Sequence, residues 1–184
     1  MKASIILSTY NRPQALLTVL EALKLQTIQD FEVCIADDGS TKDTQQIIEN
    51  FQQNSAFPIL HAWQDDRGFR AASARNNAVR ISSGDYLLFL DGDCIPRPNW
   101  IQQHLALSEK HAFVAGNRVL LDETLSHAIE THRIPFTDLF GLNVLRHKEH
   151  INRLIPLLKI PLGSMRKLKP TSWAKVRTCN LGVW

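Results

Sequence analysis

Asp91-Gly92-Asp93 is the sequence's sharpest chemical signal. Two carboxylates separated by one glycine, directly after the apolar run Tyr86–Leu90, make a compact hard-oxygen site. Mg²⁺ or Mn²⁺ favours such oxygens and keeps positions open for water and phosphate. A cation held there can bridge a diphosphate and stabilise its charge as it leaves. The plainer alternative is a polar turn ending a strand, since Asp-Gly is common in turns.

Three further groups suit an anionic, hydroxyl-rich ligand. Asp37-Asp38-Gly39-Ser40 follows another apolar run, and an acid there can accept hydrogen bonds from a ribose hydroxyl or a base N–H. The alternative is a turn with a helix cap. Arg67-Gly68-Phe69-Arg70 and Arg75-Asn76-Asn77 surround a helix start, where guanidinium groups and N–H groups suit phosphate. Asp65 and Asp66 can pair with these arginines instead. His147 and His150 share a helical face without a third ligand and read as solvated. No G-x-S-x-G, Walker or G-x-G-x-x-G motif is present.

Strands alternating with helices must position these groups. Residues 3–8, 31–36, 58–63 and 86–90 read as strands, with helices over 13–24, 41–53, 69–82 and 98–110. Asn11 and Ser40 are candidate caps, and Pro13 suits a first helical position. Residues 112–115 and 119–121 read as more sheet, 126–159 as interrupted helices, 161–170 as a basic loop and 178–184 as the start of a strand. The pattern predicts an α/β fold, a mostly parallel sheet covered on both faces. Ligands bind outside the carboxyl ends of such strands. Residues 8–11, 37–40 and 91–93 therefore belong on one edge.

The 184 residues are 44% hydrophobic and 21% charged, which suits one globular domain and excludes disorder. No apolar run approaches the roughly 18 residues of a membrane span. The start of the chain has no cleavage-site pattern, and the three cysteines lack disulfide or zinc spacing, so a cytoplasmic protein is expected. Charge is divided: residues 1–130 hold 11 basic and 16 acidic side chains, residues 131–184 hold 10 and 2. The basic end can face phosphate, anionic lipid or nucleic acid. The acidic front and the lack of a motif argue against nucleic acid.

Five segments in order resemble the donor half of a family 2 glycosyltransferase with the nucleotide-diphospho-sugar transferase (GT-A) fold. They are Ser4-Ile5-Ile6-Leu7-Ser8-Thr9-Tyr10-Asn11-Arg12-Pro13, Leu25-Gln26-Thr27 through Phe31-Glu32-Val33, Asp37-Asp38-Gly39-Ser40-Thr41, Ala74-Arg75-Asn76 and residues 84–93. The resemblance implies that Ser8 and Tyr10 line the nucleotide site, Asp38 contacts the base and Asp37 supports its turn. It places Arg75 and Asn76 near the sugar nucleotide, Asp93 as metal ligand and Asp91 at the ribose, sugar or metal. Cys94 stands where the family often has another acid.

The resemblance further implies transfer from a nucleotide-diphospho-sugar to a glycan or glycolipid, with inversion and with Mn²⁺ or Mg²⁺. Residues 1–122 are expected to bind the donor, and residues 123–184 to form a helical, basic segment facing acceptor or membrane within the same domain. Thr178–Trp184 resembles the strand before the family's acceptor-side acidic motif, so the general base is expected beyond Trp184 and the fold incomplete at its end. The basic end suggests an anionic acceptor, lipopolysaccharide core sugars being one class, and a peripheral place on the inner face of the cytoplasmic membrane. The competing expectation is a remnant that binds a sugar nucleotide without turnover.

Overall fold

The computed structural model describes residues 2–157 and 176–184. A six-stranded sheet forms its centre, with β1 at Ala3–Thr9, β2 at Phe31–Asp37, β3 at Ile59–Trp63, β4 at Tyr86–Asp91, β5 at Phe113–Ala115 and β6 at Asn180–Val183. Their spatial order is β3-β2-β1-β4-β6-β5. The first four run parallel, whereas β6 is antiparallel to both β4 and β5.

Side chains alternate along each strand, so each face gathers its own core. Ile5, Leu7, Val33, Ile35, Leu88 and Leu90 meet Leu16, Leu20 and Leu23 of α1 (Pro13–Lys24), Ile48 and Phe51 of α2 (Lys42–Gln53) and Ile101 of α4 (Trp100–Leu107). On the opposite face Ile6, Cys34 and Ala36 meet Ala74 and Ala78 of α3 (Ala71–Ile81). Alanines let α3 approach the sheet closely, which matters because α3 carries Arg75.

Two expected caps are replaced by contacts between loops. Neither α1 nor α2 has a side-chain cap. Asn11 has φ 48° and its Oδ1 accepts from the Thr41 N–H at 2.9 Å, while the Asn11 N–H donates to Ser40 Oγ at 3.0 Å. The two loops lock each other rather than their own helices.

Beyond β5 the sequence expectations need more correction. Residues 119–121 form no strand, and Leu121 makes a single bridge to Ile151. The only α-helix among the described residues of this region is α5, Glu123–Glu130, capped by Asp122, whose Oδ1 accepts from the Leu125 N–H at 2.9 Å. Short 3₁₀ turns follow at Phe136–Leu139, Asn143–His150 and Ile155–Leu157. Pro135, Gly141 at φ 62° and Pro156 interrupt any longer helix. The apolar side chains of this segment divide: Ile151 is buried and Leu139 and Leu154 pack beside it, whereas Leu142, Leu145 and Ile155 are exposed. Leu158, Lys159 and the basic loop expected at 161–170 lie outside the described residues. No helix among those described is long and apolar enough to cross a membrane.

Gly182 of β6 sits against two buried side chains. A Cβ there would lie 2.2 Å from Tyr86 Oη and 2.7 Å from His104 Nδ1. Overpacking of this kind costs about 1–3 kcal/mol. Gly182→Ala is expected to lower the thermal midpoint, read by circular dichroism; an unchanged midpoint would mean the β4–β6 contact is loose.

Candidate functional site

The carboxyl ends of β1, β2 and β4 bring the predicted groups to one edge. Register pairs Ser8 with Asp91 and Thr9 with Asp37. The chain then turns at Gly92, whose N–H donates to the Ser8 carbonyl at 2.7 Å. A Cβ at Gly92 would lie 2.7 Å from that same oxygen, so the turn requires glycine.

Ser8, Arg75 and Asp91 interlock. Arg75 Nη2 donates to Asp91 Oδ1 at 2.8 Å and to Ser8 Oγ at 3.0 Å, and Ser8 Oγ donates to Asp91 Oδ1 at 3.0 Å. The arginine and aspartate side chains keep 18% and 27% of their exposure, so the pair is partly open to solvent. Asp93 is exposed two residues on, and Cys94 Sγ donates to its Oδ1 at 3.5 Å. Burial, then the Asp93 and Asp91 charges, push the Cys94 thiol above its ordinary range. Asp91 thus has a guanidinium counter-charge, while Asp93 presents a carboxylate outward.

The second acidic pair is occupied by the protein. Asp37 is fully buried; its Oδ1 accepts from the Ser40 N–H at 2.8 Å and its Oδ2 meets His61 Nε2 at 2.9 Å. Burial would raise its carboxyl, but the hydrogen bonds from His61 and Ser40 outweigh burial and hold it below the usual range. Asp38 is 5% exposed and accepts from Gln64 Nε2 at 2.6 Å and from the Arg70 N–H at 2.7 Å. Arg70 directly precedes α3, where a carboxylate also favours the helix start. Each of these two bonds to a charged acceptor is expected to contribute about 1.5–3 kcal/mol. Asp38→Ala should show this as a lower unfolding midpoint. A parallel titration with sugar nucleotide separates the turn role from ligand contact, since a purely structural Asp38 leaves affinity unchanged.

Two predicted residues stand apart from the cluster. Tyr10 is 48% exposed and its hydroxyl donates to Asp66 Oδ2 at 2.9 Å. Asn76 is exposed on α3 and is not brought to the Ser8–Arg75–Asp91 junction. Its neighbour Asn77 instead donates to Gln64 Oε1 at 3.1 Å, as Ser73 does at 3.0 Å. Sequence reasoning missed Gln64, which ties Asp38 to α3; a lone glutamine after a weak strand carries no signal. Arg67 pairs with Asp65 at 3.0 Å, the alternative left open for that arginine. His147 and His150, expected on a solvated face, each meet an acid instead: His150 Nδ1 lies 2.7 Å from Asp122 Oδ2 and His147 Nε2 3.6 Å from Asp138 Oδ2.

Beside Asp93 opens a cavity of about 740 Å³ between α4, α5 and the β5–β6 edge. Arg12, Trp100, Asn117, Arg118 and Glu130 line it. Asn180 braces its inner wall, accepting through Oδ1 from Trp100 Nε1 at 2.9 Å, with His104 Nε2 at 2.8 Å from the same oxygen.

The chain is similar to known sugar transferases over much of this framework. It is 38% identical over 120 residues to the validoxylamine A glucosyltransferase of Streptomyces hygroscopicus subsp. jinggangensis, covering 64% of this chain and 27% of that protein. It is 36% identical over 122 residues to the hyaluronan synthase of Pasteurella multocida, covering 65% of this chain and 12% of that one. The chain thus spans about a quarter or less of the length of these relatives. Among solved structures, the mannosyltransferase PcManGT from Pyrobaculum calidifontis, in complex with GDP-Man and Mn²⁺, aligns at a TM-score of 0.54 and 20% identity, over 63% of this chain and 35% of that one, a likeness of fold. The model of glycosyl transferase family 2 matches residues 4–166, which run from the second residue of β1 through β5 and take in the whole acidic edge. On that match the chain belongs to family 2 of the glycosyltransferases, with their GT-A fold.

Proposed function

We propose that this chain binds a nucleotide-diphospho-sugar at the carboxyl edge of β1, β2 and β4 and passes the sugar, with inversion, to a hydroxyl of a glycan or glycolipid. The Ser8–Arg75–Asp91 junction beside the outward Asp93 carries this reading. Asp91 and Asp93 would hold Mn²⁺ or Mg²⁺. The donor set fits such a cation: both are hard oxygens, and the counter-charge of Arg75 at Asp91 puts most of the ligand role on Asp93. A cation bound there neutralises diphosphate charge. Arg75 orients Asp91, and Ser8 and Tyr10 line the nucleotide side. Asp37 and Asp38 hold the base-side loop, with Asp38 reaching the base, and Asn76 lies toward the outer rim of the donor site.

In this reading residues 1–122 are the donor unit, and residues 123–184 flank the acceptor. The cavity beside Asp93 is wide enough for one or more sugar rings, and Arg118 on its wall suits an anionic acceptor such as a lipopolysaccharide core sugar. Exposed Leu142, Leu145 and Ile155, with Arg146, Lys148 and Arg153 nearby, suit peripheral contact with the inner face of the cytoplasmic membrane. Each Lys or Arg near an anionic surface contributes about 1 kcal/mol. Binding to anionic vesicles should therefore exceed binding to neutral ones and fade with salt. Equal, salt-insensitive binding, or none, would return these residues to the protein surface alone.

Sugar-nucleotide binding without turnover is a second reading. Glu130, the other carboxylate on the cavity wall, is held by Arg12 at 2.6 Å rather than presented to an acceptor. Calorimetric titration with UDP- and GDP-sugars in Mn²⁺, followed by an assay for nucleoside diphosphate release with glycan acceptors, separates the two. Binding with release supports transfer, binding without release supports the second reading, and no binding of any sugar nucleotide overturns both.

A further inference from the structure

The turn after β4 brings together a second set of metal-ligating groups. The antiparallel register pairs Leu90 with Asn180, so the adjoining residues Asp91 and Cys179 come side by side where the ladder ends. The Cys94 N–H donates to the Asp91 carbonyl at 2.9 Å and folds Cys94 back over the same point. A carboxylate oxygen of Asp91 and the sulfurs of Cys94 and Cys179 consequently all lie within 4.8 Å of one another. Cys179 is 4% exposed, and Cys94 is half-buried. Both thiols line the cavity beside Asp93, which gives an ion a way in.

We propose that Asp91, Cys94 and Cys179 form a site for a thiophilic divalent cation of the Zn²⁺ or Cd²⁺ class. Two sulfurs and one oxygen are a donor set that hard cations disfavour and such cations prefer. With a Zn–S length of about 2.3 Å, tetrahedral ligation asks the sulfurs to close by at most about an ångström. Arg75 and Ser8 both bond Asp91 Oδ1 and so fix the direction of the carboxylate, the role an outer partner plays around a metal ligand. Water from the cavity that both thiols line can complete the set as a fourth ligand. The cluster was invisible in the sequence because Cys94 and Cys179 share no short spacing and meet only through the β4–β6 register.

The site is tested on the full chain, reduced and stripped of metal, by titration with Cd²⁺ alone and then Zn²⁺ alone. The readout is ultraviolet thiolate-to-cadmium charge transfer, which is independent of any sugar nucleotide, so its outcome is distinct from that of the function proposed above. One Cd²⁺ per chain is expected, with a signal that is halved in Cys94→Ser or Cys179→Ser and absent in the double variant. Loss of a direct ligand should weaken Zn²⁺ by more than the roughly 10–100-fold typical for loss of an outer partner. Cys34, buried in β2, is the internal control, and Cys34→Ser should leave the signal intact. Cys94 is only half-buried, so Cys94→Ser still decides the matter if Cys179→Ser fails to fold. No signal in the unaltered chain, or a signal that survives in the double variant, overturns the proposal.

Discussion

Asp93→Ala is expected to abolish the part of sugar-nucleotide affinity that depends on Mn²⁺. Asp91 already has Arg75 as counter-charge, at 2.8 Å, whereas Asp93 faces outward. In the proposed metal role, removing it would take away the main carboxylate ligand and leave diphosphate charge unneutralised. A direct ligand should matter more than an outer partner, whose loss costs roughly 10–100-fold. The expected loss is therefore at least about 100-fold, or ~2.7 kcal/mol. Asp93 is exposed, so the fold should be preserved and the unfolding midpoint should stay put. Titration of donor with and without Mn²⁺ reads the effect; equal affinity in the variant and the parent would remove Asp93 from the metal role.

The second large effect is expected at the opposite end of the sheet, and in stability rather than binding. Glu32 is 3% exposed and accepts hydrogen bonds from Ser4 Oγ at 2.6 Å, Lys2 Nζ at 2.9 Å, Ser83 Oγ at 2.7 Å and the Ser83 N–H. Burial alone would raise its carboxyl, but these donors outweigh burial and bring it down to about 2 from an ordinary 4.5. A carboxyl lowered on folding stabilises the native state above the unfolded value and loses that contribution as pH falls toward the folded one. The shift corresponds to about 3 kcal/mol, present at neutral pH and lost between roughly pH 4.5 and 2. Glu32→Gln should lower stability near neutrality and flatten its fall across that acid window. Denaturant midpoints measured through the window test this, and parallel curves for the two proteins would assign acid sensitivity elsewhere.

What could be read in advance follows from how local each signal is. Strands β1, β2 and β4 are continuous apolar runs ended by polar clusters, so their existence and the shared edge of Ser8, Asp37 and Asp91 were legible. The family resemblance rested on those same runs. The β5–β6 pair was not legible as a pair: β5 has three residues and β6 four, and their antiparallel register arises from a long connection without clean periodicity. Asn11 and Ser40 have the chemistry of caps, yet neighbouring loops compete for them and win. At α3 the uncertainty was one of helical phase. Ala74 and Ala78 set the buried face, Arg75 reaches Asp91, Asn77 reaches Gln64, and Asn76 is left outward.

The sheet order also bears on how the chain is made. β4 is the most apolar strand in the sequence, and among the described residues one of its edges is covered by β6. Val183 pairs with Leu87, so a ribosome must deliver nearly a hundred further residues before that edge is closed. Throughout that interval an apolar strand presents unpaired N–H and C=O groups, a template for another nascent chain. Pairing across such a separation is slow because the loop must close first. The strand that ends in Asp91 is therefore exposed to misassembly during synthesis until β6 is delivered.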